Sequence, residues 1–150
     1  LNEEKDVFLE TKEIIESSYE EMKNNVTPKF NICLSEYIDK ISGGKYNNIK
    51  INDGIQVELA NGKLIPIEKL SEGTIEQIYL ALRLSVIDQI SKEKLPIFLD
   101  ETFAYYDDER LAATLKFINS VQNQAIIFTC TNRETEILEQ LGIEYNLIGL

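Results

Sequence analysis

Two short stretches hold residue types that could act together on a phosphate. Leu70-Ser71-Glu72-Gly73-Thr74 stands at the mouth of a helical pattern, so a small hydroxyl, a glycine and several backbone N–H groups without intrahelical acceptors share one helix end. Such an end attracts anions through its free donors and the partial positive charge of the helix dipole. The same residues also suit plain capping, since Thr74 with Gln77 three positions on has the form of a capping box. The second stretch, Pro96-Ile97-Phe98-Leu99-Asp100-Glu101, is an apolar strand ending in two adjacent carboxylates. At the carboxyl ends of strands in open α/β sheets an aspartate can hold Mg²⁺ while a neighbouring glutamate orients or deprotonates a water. Taken singly, the pair reads equally as a solvated strand end or as caps for the helix that follows.

These residues have to be carried by an alternating scaffold. A long helix is expected from Thr74 to Ser91, with Ile75, Ile78, Tyr79, Leu82, Val86 and Ile90 on one face, and Pro96 to Leu99 has the continuous apolar character of a buried parallel strand. A helix over 109–121, a second buried strand over 125–130, a helix over 134–141 and a last strand over 145–150 complete the pattern, which predicts a parallel sheet covered by helices. Ahead of it, segments 46–51, 55–59 and 64–67 are separated by Asn52-Asp53-Gly54 and Asn61-Gly62, whose positive-φ residues suit tight hairpin turns, so a small antiparallel meander is expected.

The chain opens on two helices. In the first, Phe8, Ile15, Tyr19, Met22 and Val26 are spaced by seven, four, three and four, a narrow seam of the coiled-coil kind interrupted by Lys12; an amphipathic helix packed on its own domain is the alternative. Thr27 and Pro28 suit the N-cap and first position of the second helix, whose apolar face is Phe30, Cys33, Leu34, Tyr37, Ile38 and Ile41 and which Gly43 and Gly44 end.

A chain of 150 residues with 43% hydrophobic content has room for one core. It carries 26 acidic against 15 basic residues, and so negative a body repels phosphate backbones; composition therefore indicates no nucleic-acid surface. With no histidine, and Cys33 and Cys130 in different elements, neither a zinc site nor a disulfide framework is indicated, and a reducing cytoplasmic setting is expected. No apolar run approaches the roughly 20 residues that span a bilayer, so no membrane association is expected. Leu1 and Asn2 fall inside a helical pattern and the only methionine is Met22, which predicts an earlier stretch of polypeptide.

Taken together, Leu70-Ser71-x-Gly73-Thr74-x-x-Gln77-x-Tyr79-Leu80-Ala81-Leu82-Arg83-Leu84 and, one helix later, Phe98-Leu99-Asp100-Glu101-x-Phe103-Ala104-x-x-Asp107 resemble the C-terminal half of the ABC ATPase heads in the SMC, SbcC and YhaN-like group. A helix ending in Gly-Gly-Lys-Tyr and a hairpin region before the signature extend the likeness over nearly the whole chain. The resemblance implies an α/β fold, the C-terminal half of an ABC-type P-loop ATPase head, with residues 1–26 the end of a returning coiled-coil arm and 27–150 the lobe. It implies ATP and Mg²⁺ as cofactors, Ser71, Gly73 and Thr74 as the signature loop acting in trans on the γ-phosphate, Asp100 as the Mg²⁺ carboxylate, Glu101 as the catalytic glutamate and Asp107 in the D-loop at a dimer seam. The implied partners are a P-loop lobe of the same protein and a second head in a nucleotide sandwich; DNA contact and a role in DNA repair belong to the group and are not evident in these residues.

Two features depart from the group's pattern. No G-x-x-x-x-G-K-[ST] occurs, so nucleotide binding by this chain alone is not expected. The usual switch histidine is replaced by Thr131, which with Asn132 can hydrogen-bond a phosphate oxygen but carries no charge near neutral pH. A non-catalytic, ATP-gated clamp is therefore the alternative. A phosphoacceptor receiver built on Asp100 and the Asp107-Asp108 pair is disfavoured, because no lysine follows Thr131 at the end of a later strand.

Overall fold

The computed structural model describes residues 2–25, 27–51, 54–59 and 61–149, with the side chains of 2–4, 6, 22–25 and 27 outside that description. Helix α1 (Asn2–Asn25) is rich in helix formers, and an i,i+4 pair, Lys12–Glu16 at 3.7 Å, lies on its surface. Its seam residues Phe8, Ile15 and Tyr19 are more than half exposed, so they do not pack on this domain as the amphipathic-helix alternative required. The side chains of Met22 and Val26 lie outside the described residues.

Helix α2 (Thr27–Ile41) buries the predicted face, with Leu34, Ile38 and Ile41 wholly inaccessible. It ends where Gly43 and Gly44 take positive φ of 65° and 84°, a conformation that costs a Cβ-bearing residue and that glycine adopts freely. The chain then forms an antiparallel meander, β1 (Asn48–Ile51), β2 (Ile55–Glu58) and β3 (Leu64–Pro66), whose inner positions Ile49 and Val57 face each other across the ladder. Asn52 and Asp53 of the first expected turn lie outside the described residues. A short 3-10 turn, Ile67–Lys69, leads into helix α3 (Glu72–Ile90).

The face that α3 buries differs from the one its apolar periodicity predicts. Tyr79, Val86 and Ile90 are exposed, while Gly73, Thr74, Gln77, Ala81 and Ser85 are buried with Ile78 and Leu84. Small side chains let α3 lie close against α2, and the one long polar residue at that seam is satisfied, since Gln77 Nε2 donates to the Ile41 carbonyl at 2.9 Å. That bond closes an orphan carbonyl at the end of α2. Gln77 is thus committed between helices, and the Thr74–Gln77 capping box does not form.

Strands β4 (Ile97–Asp100) and β5 (Ala125–Phe128) pair in parallel register, Ile97 with Ala125 through Asp100 with Phe128. Helix α4 (Asp108–Val121) crosses between them and joins the core through an edge-on contact of Phe117 with Tyr37 at 4.9 Å; helix α5 (Arg133–Leu141) follows β5 and ends at Gly142. The parallel sheet flanked by helices is as expected, but its strands are covered on one face only. Ile97 and Leu99 are buried while Phe98 is 66% exposed, and Phe128 is 43% exposed. Segment 145–149 forms no strand, contrary to expectation: a strand needs a hydrogen-bonding neighbour, and β4–β5 does not receive it. Leu147 and Ile148 are left exposed there. No described helix is long and apolar enough to cross a membrane.

Candidate functional site

Ser71 is the N-cap of α3, exposed and extended, and its hydroxyl meets the Thr74 hydroxyl at 2.9 Å rather than a backbone amide. The Ser71 carbonyl takes the amides of Thr74 and Ile75 at 2.9 and 3.0 Å, leaving Glu72 and Gly73 amides among the helix's orphan donors. Thr74 is buried, and the Tyr46 hydroxyl reaches it at 3.5 Å.

Gly73 explains itself by what surrounds it. A Cβ there would collide with the Tyr105 carbonyl oxygen and stand 2.6 Å from Arg110 Nη1. Only a glycine lets the mouth of α3 touch the loop that follows β4. On that loop Asp107 caps α4, its carboxylate accepting the Arg110 amide at 2.8 Å and pairing with the Arg110 guanidinium at 3.2 Å.

β4 delivers Asp100 and Glu101 to an exposed edge. Glu101 adopts φ 45°, the sole positive φ outside glycine among the described residues, a left-handed turn that costs on the order of 1–2 kcal/mol for such a side chain. Two bonds to the neighbouring strand hold it: its amide donates to the Phe128 carbonyl at 3.0 Å, and its carboxylate accepts the Cys130 amide at 2.8 Å. The exposed Cys130 thiol also hydrogen-bonds to this carboxylate, and that bond, with the carboxylate's charge, raises the thiol above its ordinary range.

Thr131 does not stand free. Its hydroxyl donates to Glu134 Oε2 at 2.8 Å, as does that of Thr129 at 3.0 Å, and Glu134 is buried. The neighbouring Arg133 donates to the Tyr106 carbonyl at 2.7 Å and the Phe103 carbonyl at 2.6 Å. Phe103 and Tyr106 anchor the loop in the core, edge to face at 5.5 Å; burial, then the charge of Glu76, pushes the Tyr106 hydroxyl above the usual phenol range, with Arg110 and Arg83 opposing.

No protein-family model matches the sequence. Among curated proteins, the uncharacterized protein YhaN of Bacillus subtilis is 30% identical over a 126-residue alignment that covers 79% of this chain and 13% of that protein. The chain therefore spans about an eighth of that relative's length. Solved structures share its architecture: one from work on ATP-driven dimerization and DNA-stimulated activation of SMC ATPases has a TM-score of 0.60 at 18% identity, covering 77% of this chain and 74% of that one. An Smc head domain with a coiled coil and joint from Pyrococcus yayanosii gives 0.64 at 18% identity, covering 89% of this chain and 28% of its own. The fold is that of an SMC-like ATPase head lobe.

Within this lobe the expected residues fall into linked groups. Ser71 and Thr74 bond to each other, Gly73 abuts the 103–107 loop that carries Asp107, and just before that loop stands Glu101, which reaches across to Cys130 beside Thr131. Asp100 is exposed at the root of the same loop. A single hard carboxylate suits Mg²⁺ in nucleotide sites, where phosphates and waters supply the remaining oxygens, and no described cluster of three acidic, cysteine or histidine side chains offers a protein-only cage. Asp100 therefore fits the ion the resemblance implies. Sequence reasoning missed Arg110, Arg133 and Glu134. Arg110 stands three residues after a capping aspartate, a spacing that signals an ion pair, whereas nothing local connects Arg133 with carbonyls some thirty positions earlier.

Proposed function

We propose that this chain is the C-terminal lobe of an ATP-binding and ATP-hydrolysing SMC-like head, which gives its signature loop to nucleotide held by a second head. The observation that carries this reading is the contact of Gly73 with Tyr105, which couples an anion-attracting helix mouth to the loop issuing from the Asp100-Glu101 strand end. Ser71 and the Glu72 and Gly73 amides would grip the γ-phosphate, and Glu101 would polarise the attacking water once its carboxylate turns from Cys130. Asp100 would hold Mg²⁺, which neutralises phosphate charge when bound. Asp107 would lie at the seam between heads.

The P-loop belongs, in this reading, to a preceding lobe, which would cover the bare face of β4–β5 and pair the segment after α5. The exposed Phe98, Phe128, Leu147 and Ile148 support that assignment, because parallel sheets are ordinarily covered on both faces. Residues 1–26 would end a returning coiled-coil arm, and the exposed Phe8, Ile15 and Tyr19 await a second helix. One similar structure concerns ATP-driven dimerization of SMC ATPases, which agrees with a head–head partner; a cytoplasmic place in DNA repair or maintenance is the setting we favour. Reconstitution with the P-loop lobe should yield ATP turnover that Glu101→Gln reduces on the order of a hundredfold or more while nucleotide-dependent dimerisation persists. Equal rates for the two proteins would remove Glu101 from its role.

A second reading, an ATP-gated clamp without hydrolysis, draws on Thr131, whose hydroxyl is taken up by Glu134. It requires nucleotide-dependent association with no phosphate release, and Thr131→His would then leave release at background.

A further inference from the structure

We propose that Arg133 is a positioning residue that clamps the 103–106 loop so that Glu101 and Asp107 are held in working register; the inference rests on the ATPase reading above. The first turn of α5 lies some thirty residues from this loop, yet its arginine donates from Nη1 to the Tyr106 carbonyl at 2.7 Å and from Nη2 to the Phe103 carbonyl at 2.6 Å. A guanidinium is a rigid planar fork that is always charged, and two charge-assisted bonds to carbonyls three residues apart fix the separation and tilt of the turn between them. The loop's own bonds are sparse: Tyr106 donates to the Phe103 carbonyl at 3.0 Å and Ala104 to Glu101 at 3.3 Å. Phe103 and Tyr106 are nearly inaccessible, so the clamped carbonyls belong to the loop's two anchors, while Ala104 and Tyr105 between them are exposed.

The adjacent Glu134 gives the clamp a second function. Its buried carboxylate gathers the hydroxyls of Thr129 and Thr131, so consecutive residues of one helical turn hold the loop after β4 and the loop after β5. A shift of Thr131 on contact with nucleotide would be felt by Arg133 through its helical neighbour Glu134, and by Glu101 through Cys130. Lysine cannot replace this fork, because one ammonium on a flexible stem cannot hold both carbonyls at that geometry.

The test uses the complete protein with its P-loop lobe, comparing wild type, Glu101→Gln, Arg133→Ala and Arg133→Lys. Arg133→Ala should lower kcat on the order of tenfold with KM for ATP within about twofold, and Arg133→Lys should fall between, since a misplaced catalytic group slows the step without weakening ground-state binding. Amide hydrogen exchange, which needs no turnover, should quicken at Ala104 and Tyr106 in Arg133→Ala and stay unchanged in α3. If wild type and Glu101→Gln turn over equally, the ATPase reading fails and the exchange result alone decides the clamp. Unchanged exchange at Ala104 and Tyr106 overturns the clamp, as does an Arg133→Ala kcat equal to that of a Glu101-dependent wild type.

Discussion

At Glu101 the backbone turns left-handed in a residue that pays for doing so, and the two bonds to β5 hold it there. Strain at a strand end that also carries the candidate water-orienting carboxylate agrees with the tendency of sparsely populated conformations to gather at working sites. The same carboxylate suppresses its neighbour's chemistry. Hydrogen bonding to Glu101 and its negative charge hold the Cys130 thiol protonated further up the pH scale, so this exposed cysteine should alkylate more slowly than a free thiol at pH 8. Glu101→Gln removes the charge and moves the thiol back down, so the thiolate fraction at a given pH increases. Iodoacetamide labelling of Cys130 followed by peptide mapping should therefore quicken in Glu101→Gln, and an unchanged rate would mean the two side chains do not meet.

Among the elements, α3 shows how packing chooses a face. Its apolar residues run nearly all round, so the face read from periodicity is not the one that packing buries; the small residues Thr74, Ala81 and Ser85 and the reach of Gln77 to the Ile41 carbonyl selected the one against α2. Gly73 is the tightest point, where helix and 103–107 loop touch without room for a methyl group. Gly73→Ala should destabilise the fold by about 1–3 kcal/mol, read as a lower denaturant midpoint, because backbone on both sides must move apart. Ser71→Ala, by contrast, removes a hydroxyl that takes no part in backbone capping, and its effect on the midpoint should be small beside that of Gly73→Ala.

Over the whole molecule, exposed apolar side chains include a set where the proposed lobe and arm would lie: Phe98 and Phe128 on the sheet, Leu147 and Ile148 after α5, and Phe8 and Ile15 along α1. Exposed aromatic and aliphatic groups of this extent mark interaction sites or lead to association. The chain alone should bind a dye such as ANS, and co-expression with the P-loop lobe should abolish most of that fluorescence; persistence of the signal in the co-expressed protein would mean that the lobe covers something else. The formal charge of −11 sets a separate expectation, that any DNA contact would be local or made by a partner rather than spread over this surface.

The sequence by itself determined the helices, the meander and the parallel β4–β5 pair, because apolar period and turn residues are local properties: Gly43-Gly44 ended α2, and Asn61-Gly62 turned β2 into β3. It also brought forward the residues with phosphate chemistry, since Ser71-x-Gly73-Thr74 and Asp100-Glu101 are contiguous strings. Only the tertiary structure decided that Gln77 leaves its expected cap for α2, that 145–149 forms no strand, that Thr131 bonds to Glu134, and that Arg133 grips Phe103 and Tyr106. Gln77 and Arg133 find their partners some thirty residues away along the chain, and a side chain's choice among distant hydrogen-bonding groups is made only when folding brings them within about 3 Å.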